Sequence, residues 1–326
     1  MENNDIEFNS RLDLQELQAS VSRIRTELAK VIVGQKQLVN LLVTALLAEG
    51  HVLLEGAPGV AKTITAKLLA KSLAVDFNRI QFTPDLMPSD VLGTSIFNLK
   101  KSEFEFKKGP IFSNIILADE INRAPAKTQA ALFEVMEERQ VTMDGEKYLL
   151  DPPYMILATQ NPIEQEGTYR LPEAQLDRFL FKINIDYPNL EEEVEIITRE
   201  HGLKTSKLDM VTSSLDKTKI MEFQKLILQV RVEANLIKYI AEIILNTRTN
   251  PFLYLGASPR ASIALLKASK AFAAINGRDF VTPEDIKQIA VPVLQHRVII
   301  TPEREMEGIT TTQVINDILQ SVEIPK

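Results

Sequence analysis

The chain has 326 residues, of which 45% are hydrophobic and 25% charged, a balance typical of a globular protein of about two domains. It contains no cysteine, which excludes disulfides and thiolate metal sites and favours a reducing compartment. The formal net charge of −7 argues against nucleic acid as a partner, because nonspecific binding to nucleic acid usually leaves a basic footprint.

The N-terminal third begins with a polar segment and two predicted helices. The first residues, MENNDIEFNSRLD, lack the basic and apolar regions of a signal peptide. The apolar run at residues 41–48 is too short to span a bilayer, so we expect a cytoplasmic protein without membrane insertion. Residues 12–29 and 35–49 have the apolar spacing of helices, and Gly50 is the expected C-cap of the second.

Strands and helices then alternate along the chain. A buried strand at residues 51–55 runs into a glycine-containing loop, and residues 63–72 continue as a helix. Further strands are predicted at residues 77–82, 115–117, 154–159 and 179–185. This alternation predicts a parallel sheet covered by helices. Beyond residue 188 we find helices and loops, so we predict an α/β domain over residues 1–188 and an all-α domain over residues 189–326.

Two insertions interrupt the alternation. Residues 83–112 contain PDLMPSDVLG and IFNLKKSEFEF, which predict a helical turn followed by a hairpin. Residues 140–150 place Asp144-Gly145 between two β-type runs, a strong signal for a two-residue hairpin turn.

The stretch GAPGVAKT at residues 56–63 has nearly the spacing of a phosphate-binding loop, or P-loop. Backbone N–H groups of such a loop, followed by a helix N-terminus, can hold a row of negative phosphates. Gly56 and Gly59 permit the backbone path, Lys62 supplies a charge to the β- and γ-phosphates, and Thr63 offers its hydroxyl to Mg²⁺. The competing reading, a glycine-rich turn without a ligand, fits poorly with the strand before the loop and the helix after it.

Ala61 stands where the P-loop pattern has glycine. With helical dihedrals its methyl group would cost little, whereas a positive φ would cost about 1–2 kcal/mol. Because a helix begins here, we expect helical dihedrals.

Polar residues follow two of the predicted strands. Asp119 and Glu120 end the apolar run IILADE; Asp119 suits Mg²⁺, through water, and Glu120 suits polarisation of the water that attacks the γ-phosphate. Asn161 ends a second strand and is a candidate to hold that water or the γ-phosphate, although an ordinary Asn-Pro turn is the alternative.

Two arginines stand at unusual places. In Ser258-Pro259-Arg260, a good N-cap and a proline put Arg260 in the first turn of a helix, where a cation is mildly unfavourable unless an anion lies nearby. Arg178 has no carboxylate four residues back; it either compensates a helix dipole or acts as an arginine finger towards a neighbouring subunit. Arg170 and Arg123 are alternatives for the finger.

Together these stretches resemble the AAA+ ATPases and, within them, the MoxR family. The matching segments run from about Val33 to Val298 and include GAPGVAKT, IILADEINRAPAKTQAALFEVMEERQVT, ATQNPIEQEGTYRLPEAQLDRF, GASPRAS and FVTPEDIKQIAVPVLQHRV. The resemblance implies a P-loop NTPase αβα core with a five-stranded parallel sheet and a helical lid. It implies that Asn161 is sensor 1, Arg178 the arginine finger and Arg260 sensor 2, acting in cis or in trans.

The same resemblance implies the ligands and partners. The implied ligands are ATP and Mg²⁺, with Thr63 and Asp119 at the metal. The implied nucleotide-binding residues are Val33, Gly34, Gln35, Gly56, Ala57, Pro58, Gly59, Val60, Ala61, Lys62, Thr63 and Ile64. The insertions resemble the helix-2 insert and pre-sensor hairpin of the clade that includes magnesium chelatase. MoxR proteins imply a hexameric homo-oligomer and a chaperone-like action on partners with von Willebrand factor A domains.

The expected activity is therefore ATP hydrolysis that drives remodelling of a protein partner. The alternatives are a magnesium-chelatase-like ATPase subunit, a nucleotide-gated switch with little turnover, and a small-molecule kinase. Glu120 and Asn161 argue against the switch, and a kinase would need an acceptor pocket and no arginine from a neighbour.

Overall fold

The computed structural model describes residues 12–57, 59–161, 169, 171–203 and 205–324. The helices of this part are α1 Gln15–Ala29, α2 Lys36–Leu47, α3 Lys62–Ser72, α4 Pro88–Leu92, α5 Ala126–Glu138, α6 Glu173–Leu176, α7 Leu190–His201, α8 Lys217–Leu228, α9 Ala234–Thr249, α10 Pro259–Ile275, α11 Pro283–Leu294, α12 Pro302–Met306 and α13 Thr311–Ser321. The strands are β1 Val52–Gly56, β2 Phe77–Gln81, β3 Gly93–Asn98, β4 Glu103–Lys108, β5 Ile115–Asp119, β6 Gln140–Met143, β7 Glu146–Leu149, β8 Met155–Gln160, β9 Phe181–Ile185, β10 Leu253–Leu255 and β11 Ile299–Ile300.

Five parallel strands form the central sheet in the order β2-β5-β8-β1-β9. Side chains alternate between the two faces of β5, so Ile115 and Leu117 join one apolar cluster while Ile116 and Ala118 join the other. Burial on both faces explains why the central strands read as continuous apolar runs. The predicted fold class, an αβα core of P-loop NTPase type followed by a helical domain, is confirmed.

The topology places the carboxyl ends of the parallel strands along one edge. Gly56 ends β1, Gln81 ends β2, Asp119 ends β5 and Gln160 ends β8. In open parallel sheets, ligands bind at this edge. The candidate residues after β1, β5 and β8 therefore come together although they are far apart in the sequence.

The two insertions adopt the predicted structures. In the first, α4 leads into the antiparallel hairpin β3–β4. In the second, β6 and β7 pair around Asp144 at φ 52° and Gly145 at φ 82°, the two positive φ values that a type I′ turn requires.

The end of α2 differs from the prediction. Glu49 takes the left-handed conformation with φ 55°, and the Gly50 N–H donates to the Ala45 carbonyl at 2.8 Å. Arg139 stabilises this turn by donating to both the carbonyl and the carboxylate of Glu49. Gly50 is therefore not the C-cap, which is Ala48; glycine is required at position 50 by packing, because a Cβ there would overlap the Leu180 side chain.

The helices after β9 pack on the sheet domain. Helix α10 contacts α1 and α2, and α11 contacts β9. One apolar cluster therefore runs through both proposed domains, and residue 188 lies in the segment between β9 and α7. The short pair β10–β11 was not predicted, since strands of three and two residues leave no readable alternation. None of the helices in the described ranges is long and apolar enough to cross a membrane.

Candidate nucleotide-binding site and arginine cluster

The P-loop connects β1 to α3, as the sequence predicts. Gly56 packs so closely on β9 that a Cβ would lie 2.6 Å from the Ile185 carbonyl oxygen, and Gly59 has a φ of 89°. Lys62 is the first residue of α3, and its Nζ donates to the Gly56 carbonyl at 2.7 Å. Glycine is thus required at one position by contact and at the other by conformation; Pro58 lies outside the described residues.

The expectation for Ala61 was wrong. Its φ of 61° and ψ of 16° lie in the left-handed region, at the N-cap of α3. In this conformation the Ala61 carbonyl accepts from both the backbone N–H and the hydroxyl of Thr65, at 3.0 and 2.9 Å. These bonds start the helix, and the backbone strain costs about 1–2 kcal/mol.

A cavity of about 870 Å³ lies beside the loop. It is bounded by Val33, Gly34 and Gln35 before α2, by Val60 and Ile64 of the loop and α3, by the segment after β9, and by side chains of α11 and α13. Its volume is in the range of small-molecule sites. The cavity is therefore formed by both proposed domains.

Gln35 provides an unsatisfied acceptor in the wall of this cavity. Its Nε2 donates to the Val60 carbonyl at 3.5 Å, whereas its buried Oε1 has no hydrogen-bond partner in the described structure. A buried acceptor without a donor costs free energy, which an N–H group of a ligand would recover. An amino-bearing base fits this requirement.

The two carboxylates after β5 are held in different directions. Asp119 is buried, and its Oδ1 accepts from the Thr159 hydroxyl at 2.6 Å. Glu120 turns out of the strand with a φ of 57°, and its N–H donates to the same Thr159 oxygen at 2.8 Å. Thr159 on β8 thereby fixes the turn that separates the carboxylates.

Sequence reasoning missed Arg79 and Gln81 on β2, which contact Asp119 and Glu120, respectively. Arg79 Nε donates to Asp119 Oδ2 at 2.9 Å, and Gln81 Nε2 donates to Glu120 Oε2 at 2.8 Å. Arg79 also donates to Gln81 Oε1 at 2.6 Å. Their two-residue spacing on a predicted strand indicates a shared face, but the sequence does not say that β2 lies beside β5.

Asn161 follows β8 directly and is buried at the same sheet edge as the acidic pair. Arg123 lies in the turn after Glu120, with its Nε 3.2 Å from Glu120 Oε2. Arg170 lies outside the described residues. Of the three arginines considered for the finger, Arg123 thus contacts the acidic pair of its own subunit.

Arg178 and Arg260 come together at a different place. Arg178 Nη1 lies 2.8 Å from Glu137 Oε2, and Arg260 Nη2 lies 2.7 Å from Glu137 Oε1. Arg178 also donates to the Phe133 carbonyl, one turn earlier on α5. We call Arg178, Arg260 and Glu137 the arginine cluster; none of the three lines the cavity beside the P-loop.

The anion near Arg260 is therefore a carboxylate, and Arg260 lies in the first turn of α10 as predicted. Ser258 stands at the N-cap, but its hydroxyl donates to Asp177 Oδ2 at 2.9 Å instead of capping the helix. The other oxygen of Asp177 accepts from Arg297 Nε at 2.7 Å. Burial lowers the pKa of Arg297, and the Asp177 carboxylate opposes that shift.

These features define the class of protein. A sheet of this strand order, with a P-loop after β1 and carboxylates after β5, is a P-loop NTPase core, and the helices after β9 are a lid.

Comparison with known proteins narrows the class. Residues 51–181 match the sequence model of the ATPase family associated with various cellular activities (AAA), and residues 245–318 match that of the AAA lid domain. Chaperone MoxR1 of Mycobacterium tuberculosis is 43% identical over 94% of this chain and 83% of its own. The uncharacterized protein YeaC of Bacillus subtilis is 48% identical over 91% of this chain and 92% of its own.

The fold agrees with a solved structure as well. A crystal structure from Cytophaga hutchinsonii, described provisionally as an ATPase, is 46% identical and superposes with a TM-score of 0.88 over 95% of this chain and 97% of its own. The chain belongs to the MoxR family of AAA+ ATPases.

Proposed function

We propose that the protein hydrolyses ATP at the contacts between adjoining subunits of a homo-oligomeric ring and uses the resulting movement to remodel a protein partner. The observation that carries this proposal is the division of the site. The P-loop and acidic pair lie at one sheet edge, whereas Arg178 and Arg260 lie together away from the cavity beside the loop.

The nucleotide would bind along the P-loop with its base in the cavity. Val33 and Gly34, which line the cavity, would form part of the wall for the base, and Gln35 Oε1 would accept from its amino group. Apart from Pro58, which has no N–H, the backbone N–H groups of residues 56–61 and of the α3 N-terminus at Thr63 and Ile64 would surround the phosphates. Lys62 would exchange its contact with the Gly56 carbonyl for the β- and γ-phosphates.

Thr63 and Asp119 would hold Mg²⁺, and hydroxyl and carboxylate oxygens are suitable donors for it. Both Asp119 oxygens already accept hydrogen bonds, which favours contact through coordinated water. When bound, the ion neutralises part of the charge on the β- and γ-phosphates. Arg79 limits how far the Asp119 carboxylate can move.

Hydrolysis needs a base and a group that holds water. Glu120 would accept a proton from the water as its oxygen attacks the γ-phosphorus and the bond to the β-phosphate breaks, giving ADP and phosphate. Asn161 would hold the water or the γ-phosphate through its amide. The Gln81 amide, which donates to Glu120, keeps that carboxylate in a defined position.

Arg178 and Arg260 would act on the nucleotide of a neighbour. Because they share one carboxylate on α5, they form a single positive group that a second subunit can approach. We prefer Arg178 to Arg123 as the finger, since Arg123 contacts Glu120 of its own subunit. The same placement supports action of Arg260 in trans.

The partner would be a protein. The hairpin β3–β4 exposes large apolar side chains at Phe97, Leu99 and Phe104, which suit contact with a polypeptide. MoxR1 is named a chaperone, and the family resemblance points to partners with von Willebrand factor A domains and to a hexamer. The net charge of −7 does not favour nucleic acid.

The first test separates hydrolysis from binding. Glu120→Gln keeps the size of the side chain but replaces the basic carboxylate by an amide. We therefore expect ATP binding close to wild type and a rate of phosphate release lowered by about 100-fold or more. Calorimetry and a phosphate assay measure the two quantities. Normal turnover in Glu120→Gln would refute the role of base, and a wild-type protein that binds ATP but releases no phosphate would be a switch.

The second part of the test asks whether the site is shared. Arg178→Ala should be inactive alone, and mixing it with inactive Lys62→Ala should partly restore turnover, because some interfaces then combine an intact P-loop with an intact finger. The matched control mixes Arg178→Ala with Arg178→Ala,Lys62→Ala, which offers no intact interface. Full activity in a monomer would contradict the shared site and favour a kinase-like enzyme.

A further inference from the structure

Glu137 connects two cations that belong to different parts of the molecule. Arg178 follows α6 in the sheet domain, whereas Arg260 lies in the first turn of α10 in the lid. Each cation contacts a separate oxygen of the Glu137 carboxylate, Arg178 at 2.8 Å and Arg260 at 2.7 Å. The carboxylate therefore offsets the repulsion between two guanidinium groups that point at the same place.

The contacts of Arg178 leave donors available for another acceptor. Its Nη1 serves both Glu137 and the Phe133 carbonyl, while its buried Nε has no hydrogen-bond partner in the described structure. An unpaired buried donor is costly, and a phosphate oxygen would satisfy it. In the present arrangement Arg178 therefore has one donor, Nε, without an acceptor.

The ion pairs of the cluster are weak enough to exchange. The side chains of Glu137 and Arg260 are 37% and 55% exposed, and that of Arg178 is 29% exposed. Pairs with this exposure contribute little net free energy. A triphosphate carries more charge than one carboxylate and can accept bidentate bonds, so it can displace Glu137 from both arginines.

We propose that Glu137 is a competing counter-ion that holds Arg178 and Arg260 until the triphosphate of a neighbouring subunit takes them over. This inference rests on the proposed inter-subunit site. Since one carboxylate holds both cations, displacement of that carboxylate removes the counter-ion from both and releases the finger and the lid arginine together. Glu137 thereby opposes assembly and sets the concentration at which subunits join around ATP.

A role of Glu137 in aligning the two arginines can be distinguished by experiment from a role as competing counter-ion. If Glu137 instead aligned the two arginines for the phosphate, removing its charge would weaken the inter-subunit site. If it competes, removing its charge strengthens that site. The two roles predict shifts of opposite sign, and a side chain that matters only for folding would not strengthen assembly.

The experiment compares Glu137→Gln with Glu138→Gln. The adjacent Glu138 is exposed on the same helix and loses the same charge, and it takes part in none of the ion pairs found among the described residues. ATPase activity per subunit is measured against protein concentration, with sedimentation in ATP as an independent measure of assembly. We expect Glu137→Gln to lower the half-maximal protein concentration roughly three- to tenfold, the scale of two exposed ion pairs, and Glu138→Gln to leave it unchanged. Glu137→Asp, which keeps the charge, should lie near wild type.

The failures are separable. A wild-type protein whose activity per subunit does not depend on concentration, and which sediments as a monomer in ATP, overturns the proposed function. If the wild-type activity per subunit depends on concentration but Glu137→Gln leaves the half-maximal protein concentration unchanged or raises it, only the competing role of Glu137 is overturned. Equal shifts of the half-maximal concentration in Glu137→Gln and Glu138→Gln would show that the effect comes from net charge. That result would also overturn the competing role.

Discussion

At the scale of single residues, Ala61 carries a Cβ although its backbone is in the left-handed conformation, which favours glycine. The left-handed conformation costs an L-residue about 1–2 kcal/mol, whereas glycine adopts it freely but loses about 0.5–1 kcal/mol through chain entropy. The relief of strain therefore equals or exceeds the loss of entropy. We expect Ala61→Gly to leave the free energy of unfolding unchanged or to raise it by up to about 1.5 kcal/mol, measured by denaturant titration without nucleotide.

Ala130 supplies the matched control. It is exposed in the middle of α5, where the same change should lower the free energy of unfolding by about 1 kcal/mol. If Ala61→Gly destabilised the protein as much as Ala130→Gly, the positive φ at Ala61 would be contradicted.

At the scale of elements, buried His51 joins β1 to α5 and β8. Its Nδ1 accepts from the Ile156 N–H at 3.0 Å, so the proton of the neutral ring is on Nε2, which donates to the Met136 carbonyl at 3.1 Å. Burial lowers the pKa of His51 to about 4. A second proton would have to displace the Ile156 N–H, which explains why the neutral form is built into the fold.

This histidine makes stability depend on pH. Between pH 6.5 and about 4 the unfolded chain binds a proton at His51 that the folded protein does not, so stability falls as the pH falls. The loss from this group reaches about 2 kcal/mol at pH 5. We expect His51→Gln, which keeps a donor and an acceptor, to flatten the free energy of unfolding between pH 6.5 and 5.

The exposed His201 is the control for this effect. His201→Gln should keep the wild-type slope, while buried His296, whose pKa burial also lowers, contributes the same slope to all variants. An unchanged slope in His51→Gln would show that the ring is protonated within the folded protein.

The elements themselves were largely readable from the sequence, because β1, β5 and β8 are apolar runs that end in a glycine, an acidic residue and a glutamine, respectively. What could not be read was adjacency. The parallel pairing of β2 with β5 brings Arg79 and Gln81 to the acidic pair, and the approach of α5 to α10 brings Glu137 to both arginines. Such contacts depend on strand order and helix packing, which leave no local pattern. The prediction for Ala61 was wrong for a related reason. The turn that joins the P-loop to α3 sets its φ and ψ more strongly than the conformational preference of alanine does.

At the scale of the whole molecule, one buried ion pair fastens the lid to the core. Arg297, after α11, pairs with Asp177 at 2.7 Å and donates to the carbonyls of Asp177, Phe179, Leu180 and Val293. Ser258 at the start of α10 donates to the other Asp177 oxygen. Asp177 precedes Arg178, so the lid is bonded directly to the residue next to the proposed finger.

Replacing Arg297 by Met would keep much of the apolar stem but leave the Asp177 carboxylate and several buried carbonyls without their donor. Breaking a buried pair costs about 3–5 kcal/mol, so we expect Arg297→Met to lower the free energy of unfolding by that amount. Arg231 is the control: its pair with Asp279 is 3.5 Å long and its side chain is 60% exposed, so Arg231→Met should cost less than about 1 kcal/mol. Denaturant titration measures both, and an equal effect of the two changes would show that Arg297 does not hold the lid to the core.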